Sequence, residues 1–160
     1  MIKLPVSGGG GTYTVRPTKI ICLGLNYREH IAESQSVDVQ GFDEYVPEEP
    51  VLFPKTPNVL IGPGEPIVLP RFLQDYAFDE PRIDHEAELA FFVKDRCKDV
   101  PAGQAMSHIF GFTCANDVSQ RNLQRGDKSG WFRGKSLDTF GPVGPRIVCV
   151  EDIGDPQNLA

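Results

Sequence analysis

A chain of 160 residues has room for one domain with a hydrophobic core and is too short for two. Its 40% hydrophobic and 24% charged residues are an ordinary globular composition, which excludes global disorder. Twenty-two acids against 16 Lys and Arg leave a net charge of −6, which argues against nucleic acid or an anionic membrane as the main partner.

No stretch approaches the roughly 18 apolar residues of a membrane span. Met1 is not followed by a basic region and an apolar core, so the expected location is the cytoplasm. Cys22, Cys97, Cys114 and Cys149 form no C-x-x-C pair. Cys22, Cys114 and Cys149 sit inside apolar runs and are expected as buried, reduced thiols. Sixteen Gly and 14 Pro with few helical runs predict a β-rich fold with many turns.

Taken in chain order, residues 1–18 are expected as an N-terminal arm and 19–160 as the domain proper. The glycine run 7–11 has no helix behind it to cradle a phosphate, so it predicts a turn before a strand over 12–15. Residues 20–23 predict a strand ended by Gly24, and 26–33 a helix capped by Asn26, with Glu29 completing a capping box. The polar, acidic stretch 34–50 predicts a long surface loop or lid. Short strands follow at 51–53 and 59–61, and Gly62-Pro-Gly64 turns the chain into the apolar run 66–69. A strand is expected over 83–93, another over 109–115, and a helix over 117–124. Residues 126–145 predict a Gly- and Pro-rich loop, and 146–150 a last strand.

Side chains alternate along a strand, so Ile83, Ala87, Leu89, Phe91 and Val93 share one face with His85, while Asp84, Glu86 and Glu88 share the other. A solvated face is one explanation. However, no Lys or Arg interrupts the acids, and the face continues into Ala90 and Phe92. That continuation implies partial cover, which is costly for uncompensated carboxylates. A divalent cation removes the cost, and all-carboxylate ligation favours Mg²⁺, Mn²⁺ or Ca²⁺ over zinc. Asp117 is either the cap of the next helix, with Gln120 as capping-box partner, or a further ligand. Asp117, Arg121 and Gln124 would form one helical stripe, a plausible anion-binding wall. His30 and Glu33 lie three apart, so a Glu-oriented imidazole base and an ordinary exposed pair both remain open. His85 and His108 have no such partner in sequence and are expected to be structural. Lys135 brings a cation into a Gly-rich loop.

In order, Gly24-Leu-Asn-Tyr-Arg-Glu-His30, Leu52-Phe-Pro-Lys55, Gly62-Pro-Gly64, Asp84-His-Glu-Ala-Glu-Leu89, Asn116-Asp-Val-Ser-Gln-Arg121, Arg133-Gly-Lys-Ser136, Gly141-Pro-Val-Gly-Pro145 and Asp155-Pro-Gln-Asn-Leu159 resemble the fumarylacetoacetate hydrolase family. The resemblance covers roughly 19–160. It implies a mixed, β-rich (α+β) fold: a rolled mixed sheet with few short helices, incomplete at its C-terminal side because the family continues past this point. It implies Glu86, Glu88 and Asp117 as ligands of Mg²⁺ or Mn²⁺, with Asp84 supporting them. His30, Glu33 and Lys135 would be catalytic, and Arg121, Gln124 and Lys135 would bind substrate. The implied partner is a small 2-oxo or β-diketo acid, and the implied assembly a homodimer. The expected chemistry is acylpyruvate-type C–C hydrolysis, isomerisation of a 2-hydroxyhepta-2,4-diene-1,7-dioate, or oxaloacetate decarboxylation. The alternative is a truncated, inactive family fragment that binds metal or a partner subunit.

Overall fold

The computed structural model describes residues 1–27 and 49–159. All but the first two residues of the helix expected over 26–33, most of the lid over 34–50, and His30 and Glu33 with them lie outside the described residues.

Among the described residues, ten strands and three single-turn α-helices, with five short 3-10 turns, make up the regular structure. The strands and α-helices are β1 (Ile2–Pro5), β2 (Thr12–Val15), β3 (Ile20–Gly24), β4 (Val51–Lys55), β5 (Leu60–Ile61), β6 (Ile83–Asp84), β7 (Ala87–Val93), β8 (Ile109–Asn116), β9 (Ser119–Gln120), α1 (Arg121–Gln124), α2 (Phe132–Lys135), β10 (Gly141–Cys149) and α3 (Val150–Ile153). The central sheet runs β5-β10-β8-β7, with β5 parallel to β10 and the other pairs antiparallel. Around it stand the two-stranded pairs β1-β2, β3-β4 and β6-β9. This is a mixed, strand-rich α+β fold, as the Gly and Pro content with few helical runs predicts.

The N-terminal arm is packed rather than loose. Its hairpin buries Leu4 and Val15 against Val143 and Ile147 of β10, and Tyr13 lies 5.1 Å from Phe92 and 5.0 Å from Phe110, ring centroid to centroid. Ile147 is fully buried in this cluster. Ile147→Ala should therefore cost about 2–5 kcal/mol. A urea midpoint that barely moves would show that the hairpin and sheet do not share a core.

Four expectations change. The strand expected over 83–93 is two strands: β6 pairs with β9 while β7 pairs with β8, and the chain bends between them at His85–Glu86. The helix expected over 117–124 shrinks to its last turn. Gln120, not Asp117, caps it, its side chain accepting from Leu123 N at 2.7 Å. The loop expected over 126–145 contains α2 and the start of β10. Finally, Cys22 and Cys149 are half-buried and Cys97 and Cys114 exposed, all four free thiols. The apolar runs around Cys22, Cys114 and Cys149 thus do not bury these thiols fully.

That alternation is sharpest in β7. Glu88, Ala90 and Phe92 face inward, whereas Leu89, Phe91 and Val93 face out and are well exposed.

Candidate active site

Two hydrogen bonds of the Glu86 backbone, one with a side chain and one with another backbone group, assemble the acidic cluster. Asn116 ends β8, and its side-chain Oδ1 accepts from Glu86 N at 2.9 Å. Asp117 N in turn donates to Glu86 O at 2.8 Å. The bend before β7 and the end of β8 are thus clamped together, which sets the Glu86 and Asp117 carboxylates near each other. Glu88 follows two residues on, on the same inward face.

Three cations converge on these acids from distant parts of the chain. Lys55, the last residue of β4, sends Nζ to Asp117 Oδ1 at 2.5 Å and to Phe140 O at 2.8 Å. Lys135, the last residue of α2, bonds Asp117 Oδ2 at 2.6 Å and also Glu86 Oε2, and its Nζ lies 5.0 Å from the Phe53 ring centroid. Arg121 reaches Glu86 Oε1 at 2.5 Å, Asp84 Oδ2 at 2.8 Å and Gln124 Oε1 at 3.0 Å. Lys55, Asp117 and Lys135 are buried. Gly134 allows α2 to come this close: a Cβ there would meet Gln120 O at 2.7 Å and Gln124 Cβ at 2.8 Å.

The resulting electrostatics are uneven. Burial alone would raise the Glu86 carboxyl, but Lys135 and Arg121 outweigh it and hold it below its ordinary value. At Asp84 likewise, Arg121 and Arg82 overcome burial and depress it. Burial lowers Lys55, and its bond to Asp117 opposes the shift. Glu88 is the exception. Burial first, then the charges of Asp117 and Glu86, push it up to about 7, against weaker help from Lys135 and a Tyr27 hydrogen bond.

A carboxyl raised from 4.5 in the unfolded chain to about 7 in the fold stabilises the fold while protonated. That contribution is complete below about pH 4.5 and is lost as pH rises through about 7. The depressed Asp84 and Glu86 act in the acid range, so they leave this window to Glu88. Metal-free protein should show a urea midpoint that falls between about pH 5 and about pH 8. Glu88→Gln should flatten that slope; an equal slope in the variant would assign the titration elsewhere.

Each expected site residue within the described part falls in or beside this cluster: Glu86, Glu88, Asp117, Lys135, Arg121 and Gln124, with Asp84. Among the described residues, Glu86, Glu88 and Asp117 do not each bring one oxygen within 4.8 Å of the others. Instead the Lys135 ammonium bridges Glu86 and Asp117. The acids looked uncompensated in the strand, yet the fold supplies cations to Glu86 and Asp117 and leaves Glu88 short. The donor set still fits a hard divalent ion, being all oxygen, with Glu88 contributing charge that Lys135 offsets only in part. Lys55 had no assigned role in the sequence. Its signal was a lysine closing an apolar strand, where the inward-facing register of Phe53 and Lys55 requires a buried counter-charge.

An acid-and-lysine cluster set into a strand-rich domain at the ends of β4, β8 and a short helix defines an enzyme-like site. Residues 19–160 match the family model of the fumarylacetoacetate (FAA) hydrolase C-terminal domain. The chain belongs to the fumarylacetoacetate hydrolase family. It is 45% identical over 162 residues to an uncharacterized protein of Pyrococcus abyssi, covering 99% of this chain and 64% of the relative. It is 40% identical over 145 residues to a mitochondrial oxaloacetate tautomerase of Bos taurus, covering 90% of this chain and 41% of that protein. The crystal structure of 5-carboxymethyl-2-hydroxymuconate delta-isomerase from Mycobacterium smegmatis superposes with a TM-score of 0.65 at 41% identity, covering 88% of this chain and 48% of that one. The chain thus spans less than two thirds of the length of these relatives.

Proposed function

We propose that this chain carries the acid-and-lysine centre of an enzyme that moves protons on a small 2-oxo acid, such as oxaloacetate or a 2-hydroxymuconate-type dicarboxylate. The observation that carries it is the buried Lys135 ammonium held between Glu86 and Asp117 beside the under-compensated Glu88. A tautomerase and an isomerase among the relatives favour proton transfer over C–C hydrolysis.

Glu86, Glu88 and Asp117 would hold Mg²⁺ or Mn²⁺, which would act as a Lewis acid on a 2-oxo group. Lys135 Nζ, placed by α2 and steadied by Phe53, would meet the negative charge that develops on the oxygen as the substrate enolises. Arg121 and Gln124 would orient the substrate carboxylate. Arg121 holds Asp84, Glu86 and Gln124 at once, so its planar fork is already fixed in direction. His30, oriented by Glu33, would carry the proton. The reading places the protein in the cytoplasm as a homodimer. Among the described residues, no helix is long and apolar enough to cross a membrane.

The exposed apolar face of β7 favours a second reading, a family chain that binds metal but needs a partner before the site turns over. Mg²⁺-dependent turnover of oxaloacetate enol, a 2-hydroxyhepta-2,4-diene-1,7-dioate and an acylpyruvate separates the readings. Proton transfer on the first two with little acylpyruvate cleavage is expected. Metal binding without turnover of any substrate would support the second reading, and preferential cleavage would return the site to hydrolysis.

A further inference from the structure

A second group of potential ligands stands at the far end of β7. Asp95, Cys97 and His108 each place one donor atom within 4.8 Å of the others. His108 Nδ1 lies 2.6 Å from Asp95 Oδ1. The partner that the sequence hid therefore comes from 13 residues away. Asp95 follows β7 and His108 immediately precedes β8, and the strand ladder fixes these two ends. Val93 pairs with Ile109, and Lys94 N donates to His108 O at 2.8 Å. The ring and the carboxylate are thus mounted on one rigid frame, and Cys97 follows Asp95 by two residues.

We propose that Asp95, Cys97 and His108 form a transition-metal site, with Zn²⁺ as its ligand, separate from the carboxylate centre. The donor chemistry decides the metal class. A thiolate and an imidazole suit Zn²⁺ and its first-row neighbours, whereas Mg²⁺ and Ca²⁺ demand oxygen. Thiolate and carboxylate together neutralise the ion's two positive charges, and three protein ligands leave a fourth tetrahedral position for water. Lys94, Arg96 and Lys98 alternate with the ligands in sequence and oppose a purely ionic cation. Lys98 is turned toward Asp99 at 3.8 Å, and strong Zn–S and Zn–N bonds tolerate such neighbours better than ion pairing would. Glu88 and Asp95 are seven residues apart on one strand and its extension. At about 3.3 Å per residue the two sites lie on the order of 20 Å apart. Bound Zn²⁺ would pin the 94–108 connection to the frame that carries the strand of Glu88.

The test uses the purified protein with excess Mg²⁺ present to occupy carboxylate sites, and Co²⁺ and Zn²⁺ as probes. Co²⁺ should produce a near-ultraviolet thiolate-to-cobalt charge-transfer band that titrates to one ion per chain and is displaced by Zn²⁺. Cys97→Ser should abolish the band, and Asp95→Asn and His108→Ala should each weaken binding by about tenfold or more. Cys97 and Asp95 are exposed, so these variants are expected to fold, and unchanged circular dichroism checks that they do. Absence of the band, or a band that survives Cys97→Ser because another thiol ligates, would overturn the proposal. Cys22, whose thiol feels the Asp117 and Glu88 charges, is the thiol that a surviving band would implicate. Mg²⁺ binding by the Glu86, Glu88 and Asp117 oxygens gives no such band and is judged separately.

Discussion

Glu86→Gln is expected to lower metal-dependent turnover roughly a thousandfold while leaving the fold intact, the loss of about 4 kcal/mol of transition-state stabilisation. Glutamine keeps the size of the side chain, so the clamp of backbone bonds between Glu86, Asn116 and Asp117 should survive. What disappears is one anionic donor and, with it, the counter-charge that holds Lys135 and Arg121. On the proposed reading both consequences act on the same step: the ion would lose a ligand, and the ammonium and guanidinium would lose their aim. Turnover and metal affinity should therefore fall together, in kcat as well as in kcat/KM. Full activity in the variant would remove Glu86 from the site.

The second large effect is on stability. Lys55→Met keeps an unbranched chain in place but deletes a charge that is almost completely buried against Asp117. Breaking a buried pair by removing one partner leaves the other charge uncompensated, at a cost of about 3–5 kcal/mol. Lys135 remains on Asp117, which moderates the loss, but the Phe140 and Val118 carbonyls lose their ammonium donor as well. The urea midpoint should drop accordingly, and Asp117→Asn should recover part of the loss in the double variant because the stranded charge goes with it. A Lys55→Met protein as stable as the parent would mean the pair is not buried.

The sequence carries the local pattern of this cluster, and the parts it does not carry share a cause. The parity of Asp84, Glu86 and Glu88 is a local property of extended backbone, and it persists through the bend that splits the expected strand in two. The bend itself depends on the Asn116 side chain reaching across from another strand, a pairing that no local pattern announces. In the sequence Asp117 reads either as a helix cap or as a ligand, and the capping role passes to Gln120 because β9 continues pairing with β6 before the helix begins. Lys55 lies 62 residues from Asp117, and only the fold brings a strand-end lysine onto a loop carboxylate. The apolar face of β7 was readable as a face, yet which face would be covered depends on the N-terminal hairpin choosing the side of Phe92. Likewise His108 looked partnerless until β7 and β8 closed into a ladder.

On the proposed reading Glu86, Glu88 and Asp117 hold one hard divalent ion. Calorimetric titration of Mg²⁺ into metal-free protein at about pH 8, where Glu88 is ionised, measures this directly. One ion bound per chain, with binding lost in Asp117→Asn and weakened as pH falls below about 7, is the result expected. No heat of binding, or binding indifferent to Asp117→Asn, would contradict it.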